Sequence, residues 1–182
     1  MTNPIAALAC FVGFAWAMHS HFRKSGKPTR GMILTGVMGS LSAIAHLAAV
    51  YLRPAAIPEP ALVLYLASLA LFWCAIGATS GKGLAACYLG EVPAQLVTAG
   101  PYRHIRNPFY TAYMLAWIAG AAATVFWPLA VTVPMMAALY HRAARQEERE
   151  LEVKYGEIYR QYKKRTGRYL PLISTGSGRS GQ

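Results

Sequence analysis

Residues 107–140 read NPFYTAYMLAWIAGAAATVFWPLAVTVPMMAALY and contain no Asp, Glu, Lys or Arg. A helix that crosses a bilayer needs about 20 predominantly apolar residues, so this run is long enough for two short helices joined by a tight turn. Asn107 is a strong N-cap and Pro108 suits the first helical position. The spacing predicts one helix over about 108–123 and a second over about 127–142, with Pro128 near its start. Their turn falls near Thr124 to Trp127, where Trp127 can anchor at the membrane interface. Working outward, Met1–Phe22, Gly31–Leu52 and Pro60–Gly81 are equally free of charge. They predict helices over about 4–22, 31–53 and 60–79. A soluble bundle of this size would have to expose polar helix faces, which these stretches lack.

The whole chain is 55% hydrophobic and 14% charged, with a mean hydropathy of +0.29 and a net charge of +11. Such a basic balance can signal nucleic acid. Here its placement follows the positive-inside rule instead. Every Lys and Arg except Arg53 falls in a segment that five spans would put on one face. That face is then cytosolic, with the N-terminus outside. Residues 1–22 lack a basic start and read as a first span rather than a signal peptide. Cys10, Cys74 and Cys87 have no partner at short spacing, so neither a disulfide nor a metal site is expected. Cys74 reads as a packing residue. The expected fold is an all-α polytopic membrane protein of about five transmembrane helices plus a cytosolic amphipathic C-terminal helix.

Smaller features refine this frame. Gly31, Gly36 and Gly39 read as positions where membrane helices pack closely. His46 lies deep in the second span; it is either a functional group or a neutral ring bonded to a neighbouring helix. The segment 53–60 is a proline-broken external turn. The loop over about 80–107 keeps apolar and aromatic residues and is expected to be ordered. Gly77 to Gly83 resembles a phosphate-binding loop, but its glycine spacing is one residue short and Gly83 stands where Ser or Thr is required. From His141 to about Lys164 the chain is charged yet helix-friendly. Leu151, Tyr155, Ile158, Tyr159 and Tyr162 form one apolar stripe that Glu147 and Glu148 extend. Glu150 and Lys154 are spaced to pair on the solvated side. Carboxylates on the buried side of such a helix need partners. The tail 174–182 reads as disordered.

Two segments carry the chemistry. The first runs from Leu96 to Tyr110 and sets Arg106 just before a helix N-terminus, a setting that binds anions. The second carries Glu147 and Glu148. A helix hairpin lies between them, so both should meet at one end of the molecule. Together they could hold a zwitterion such as an amino-acid moiety, or they could form ordinary interfacial charge pairs.

The order Gly100, Tyr102, Arg106, Pro108 and Tyr110, then a membrane hairpin, then Glu147, Glu148, Leu151, Gly156, Tyr159, Tyr162 and Pro171 resembles the isoprenylcysteine carboxyl methyltransferase family. It is more distantly similar to the membrane phospholipid N-methyltransferases. The resemblance covers about 95–173. Asn107 stands where the family pattern most often has His, and Ala112 where it often has Gly. The resemblance implies S-adenosylmethionine as methyl donor, with S-adenosylhomocysteine as product, and a lipophilic acceptor such as an isoprenylcysteine-like carboxylate or another lipid. It implies a cofactor pocket lined by Gln95, Leu96, Val97, Gly100, Tyr102, His104, Asn107, Pro108 and Tyr110. Arg106, Glu147 and Glu148 would be the catalytic residues, clamping charged groups and positioning the acceptor. No metal is required for methyl transfer, which needs alignment above all.

Two other readings remain at this stage. A membrane reductase of related architecture would be much longer. A non-enzymatic adaptor would use the basic cluster Lys163, Lys164, Arg165 and Arg168 to hold anionic lipid. The chain divides into three N-terminal spans (1–79), a catalytic region (80–173) and the tail.

Overall fold

The computed structural model describes residues 2–21, 30–52, 58–80, 95–124 and 126–172. Expectations for the external turn, for the central part of the loop that follows the third helix (Cys87 included), and for the tail lie outside these residues.

Among the described residues the chain is all-helical. α1 (Thr2–Trp16) ends in a π-helical turn, Ala17–His21. α2 (Arg30–Leu52), α3 (Pro58–Thr79) and α4 (Pro108–Thr124) follow. A single turn, α5 (Trp127–Ala130), leads into the long α6 (Thr132–Tyr155), and α7 (Glu157–Arg165) completes the order. Among the described residues two helices are long and apolar enough to cross a membrane, Arg30–Leu52 and Glu59–Thr79.

α4 is the hub. It packs most extensively on α3 and also touches α1, α2 and α6. Of its large residues only Ile118 is exposed. Aromatic rings fill the centre: Phe11 lies 4.9 Å from Trp117, Phe14 lies 4.7 Å from Tyr113, and Tyr110 stacks on Tyr140 at 5.4 Å. Trp117 Nε1 donates to Tyr140 Oη at 3.1 Å, so the indole N–H of the core is satisfied.

His46 of α2 is fully buried. Its Nε2 lies 2.8 Å from Thr132 Oγ1, and that hydroxyl donates to Leu129 O at 2.6 Å. A hydroxyl has one proton to give, so His46 is the donor and carries its proton on Nε2. The bond ties α2 to the first turn of α6, the bland one of the two readings open from sequence. Gly120 explains the fit of the ring: a Cβ there would lie 2.0 Å from His46 Nδ1.

Several local expectations change. The charged C-terminal helix does not begin near 141. α6 runs unbroken from Thr132 to Tyr155, because the arrival of charge alters side chains and not backbone. The break comes at Gly156, whose φ of 54 and ψ of −124 suit glycine. That break turns Ile158 out of the apolar stripe to 68% exposure, while Tyr159 stays buried. Glu150 also accepts from Gln146 at 3.1 Å, and Glu152 pairs with Arg160 and Lys163. Cys74 is exposed rather than packed. Gly36 has nothing within 4 Å of where its Cβ would be, so it makes no close helix contact.

Candidate functional site

The site forms at the end of the bundle where α4 begins and α6 leaves the apolar core. The approach to α4 is a short 3-10 turn, Gly100–Arg103, followed by an irregular segment. Gly100 has φ +58, and a Cβ there would lie 3.0 Å from the Ala78 Cβ, so this glycine lets the turn close onto α3. Residues 166–168 then lie along 104–107 as a strap. Arg106 N donates to Gly167 O at 2.8 Å, Asn107 N to Arg168 O at 3.1 Å, and Gly167 N to His104 O at 3.1 Å. Gly167 is required by space: a Cβ would sit 1.7 Å from Leu170 O. Two side chains brace the strap. Thr111 Oγ1 donates to Tyr169 O at 3.1 Å and Tyr162 Oη to Tyr102 O at 2.7 Å.

Glu148 is the centre of the polar network, at 4% exposure. Arg106 Nε donates to its Oε1 at 3.0 Å and Asn107 Nδ2 to the same oxygen at 3.2 Å. Arg168 completes a fork, with Nε to Oε1 at 3.0 Å and Nη2 to Oε2 at 2.7 Å. The Arg106 guanidinium also donates to the carbonyls of Lys163 and Thr166. Burial alone would raise the Glu148 pKa, but hydrogen bonds from Arg168 and Arg106 and their charges outweigh it and hold the carboxyl below its ordinary value. Glu148 is therefore ionised at neutral pH and paired twice. Burial raises the Tyr162 phenol to about 12, so that bracing hydroxyl keeps its proton.

Glu147 plays a different part. It accepts a hydrogen bond from Tyr110 Oη at 2.9 Å. Tyr110 in turn lines a cavity of about 490 Å³ that runs between α1, α2, α4 and α6. Its walls include Phe14, Gly36, Gly39, Tyr113, Trp117 and Tyr140. The volume lies in the roughly 300–1,000 Å³ range of small-molecule sites. So the tyrosine that holds Glu147 is part of the wall of a largely apolar chamber.

The structure thus brings together Arg106, Asn107, Pro108, Tyr110, Glu147 and Glu148 from the sequence-derived set. Gly100 and Tyr102 stand beside them through the 3-10 turn. His104 joins by its backbone, its side chain being exposed. Gln95, Leu96 and Val97 form an extended approach in which only Val97 is buried. Sequence reasoning missed Arg168 as a site residue and placed it in a surface basic cluster. No signal in the sequence sets Arg168 apart from its basic neighbours, because its link to Glu148 depends on the backbone path through Gly167.

No curated protein matches the chain. The model of the family described as phospholipid methyltransferase matches residues 61–158, from α3 through the start of α7 and more than half of the chain. The match contains the hairpin, Arg106, Asn107, Tyr110, Glu147 and Glu148. The chain belongs to the phospholipid methyltransferase family, whose members are membrane methyltransferases.

Proposed function

We propose that this membrane methyltransferase moves a methyl group from S-adenosylmethionine to the polar head of a lipophilic acceptor, at a site on the cytosolic face. In this reading α1, α2, α3, α4 and α5–α6 are the five spans, the N-terminus is outside and α7 lies at the cytosolic surface. The observation that carries the proposal is the 490 Å³ largely apolar cavity lined by Tyr110, whose hydroxyl holds Glu147. A hydrocarbon chain suits such walls, and its head would then lie at the carboxylate.

The residues present suit a sulfonium cofactor. Stacked tyrosines 110 and 140 offer ring faces that attract a cation. Glycine and backbone of 95–102, with Asn107, Pro108 and Tyr110, would hold the remainder. When bound, the cofactor would supply an electrophilic methyl group. Arg106 and Arg168 are held on Glu148, while Glu147 is the carboxylate bonded to a tyrosine of the cavity wall. This favours an amine acceptor over a carboxylate. Glu147 would bind the ammonium form and take its proton at an Oε, freeing the nitrogen lone pair. Tyr110 orients Glu147, and the aromatic walls exclude water, which strengthens each electrostatic contact. Arg106 and Glu148 act as positioning residues for the strap and for Asn107.

The test is transfer of labelled methyl from S-adenosylmethionine into extracted lipid by protein in detergent or nanodiscs. Label should enter the lipid phase and resist alkali, as an N-methyl group does; an ester would be cleaved to methanol. Glu147→Gln should lose at least ten-fold in rate while staying monodisperse, and Arg106→Ala should abolish transfer. A folded sample that neither binds S-adenosylhomocysteine nor transfers label overturns the proposal.

A further inference from the structure

The outer face of α6 changes character along its length. Pro134, Ala138, Arg142, Arg145, Arg149 and Val153 recur every three to four residues and are all exposed. They form one stripe. The opposite side of the helix buries Met136, Tyr140, Ala144 and Glu148. The stripe is therefore apolar where α6 runs beside the other apolar helices and becomes a row of arginines immediately afterwards.

Among the described residues the ion pairs involve Arg106, Arg160, Lys163 and Arg168, never Arg142, Arg145 or Arg149. No acidic residue interrupts the stripe itself. Like charges at this spacing on a helix repel and lower its stability. Their retention on one face calls for an external anion. A second copy of the same stripe would repel it.

Distance points to which anion. Arg142 is about 6 Å along the helix from Ala138, and Arg149 about 10 Å further. The headgroup layer of one leaflet is roughly 5–8 Å deep. A face that meets acyl chains at Pro134 and Ala138 meets phosphates over the next two turns. Guanidinium groups bind phosphate in a bidentate fork and suit that layer.

We propose that Arg142, Arg145 and Arg149 form a binding surface for the headgroups of anionic phospholipids. The surface lies on the outer side of the turns whose inner side carries Glu147 and Glu148. Bound headgroups would fix the depth of those carboxylates relative to the bilayer. The proposal needs α6 to leave a membrane at Arg142, but it does not depend on which acceptor is methylated.

The test uses full-length protein in nanodiscs of equal parts phosphatidylcholine and phosphatidylglycerol, re-extracted in mild detergent. The ratio of the two lipids retained is read by mass spectrometry. The wild-type protein should retain phosphatidylglycerol about ten-fold over phosphatidylcholine at low salt. The preference should fall steeply near 1 M salt, where screening acts within about 3 Å. The triple variant Arg142→Gln, Arg145→Gln, Arg149→Gln should lose it, while remaining monodisperse and helical by circular dichroism. The double variant Lys163→Gln, Lys164→Gln should keep it. A triple variant that retains the preference, a loss seen only in the lysine variant, or a wild-type protein without preference overturns the proposal. So does nucleic acid co-purifying with the wild type alone, which would assign the stripe to a soluble polyanion.

Discussion

In the proposed mechanism Glu148 supports the site through its partners and not by touching a substrate. It sits between Arg106 and Arg168, so removing its charge leaves two guanidinium groups facing each other in a largely buried place. Breaking such a pair from one side costs about 3–5 kcal/mol. Glu148→Gln should therefore unfold at distinctly lower temperature than wild type at neutral pH. The pH dependence follows from the same geometry. The folded-state pKa of Glu148 lies below its ordinary 4.5, so its stabilisation is present above that value and is lost as pH falls through the lower, folded one. Thermal scans between about pH 6 and pH 3 should show a steep acid limb for wild type and a shallower one for the variant. Equal limbs would assign acid sensitivity elsewhere. Much of this centre was legible in the sequence. Arg106, Asn107 and Tyr110 sit in one short segment, Glu147 and Glu148 in another, and a hairpin must return the second to the first. Arg168 was not legible, because its link to Glu148 depends on the path through Gly156 and Gly167, and a glycine's conformation is not written in its letter.

At the level of elements, helix positions followed from gaps in charge, while helix ends did not. Charge begins at His141, but no backbone feature accompanies it, so α6 continues to Tyr155. One glycine of α2 was also misread. Small residues often mark close helix packing. A Cβ on Gly39 would indeed meet Met136 of α6 at 3.5 Å, but Gly36 leaves space, and that space belongs to the cavity. Gly36→Leu therefore separates stability from function. Leucine is favoured over glycine within a helix by up to about 1 kcal/mol, so the melting temperature should not fall. The side chain would fill the chamber beside Thr35 and Tyr113, and methyl transfer should drop more than ten-fold. A variant with full activity would show that the acceptor lies elsewhere. The strap gives the opposite case. Gly167→Ala places a Cβ against Leu170 O, so it should break the pairing with 104–107. Amide exchange at Arg106 and Asn107 should accelerate and activity should fall, with α1, α2 and α3 unaffected.

For the molecule as a whole, composition and charge placement foretold an all-helical membrane protein, and the family match agrees. Two helices meet the length and hydropathy of a span by themselves. α4 is shorter and nearly enclosed, so its place in the bundle depends on neighbours rather than on its own hydropathy. The cavity could not be foretold, since it arises where four helices fail to fill a volume and no single helix encodes that. The strap also sets a timetable. A chain emerging from the ribosome delivers α1 to α4 first, and Arg106 waits without its carboxylate until Glu148 is made. The segment that aligns Asn107 arrives later still, with residues 166–168. Helices can thus be in place well before the proposed centre exists, and in that reading a nascent chain has no complete site for methyl transfer until residues 166–168 have been translated.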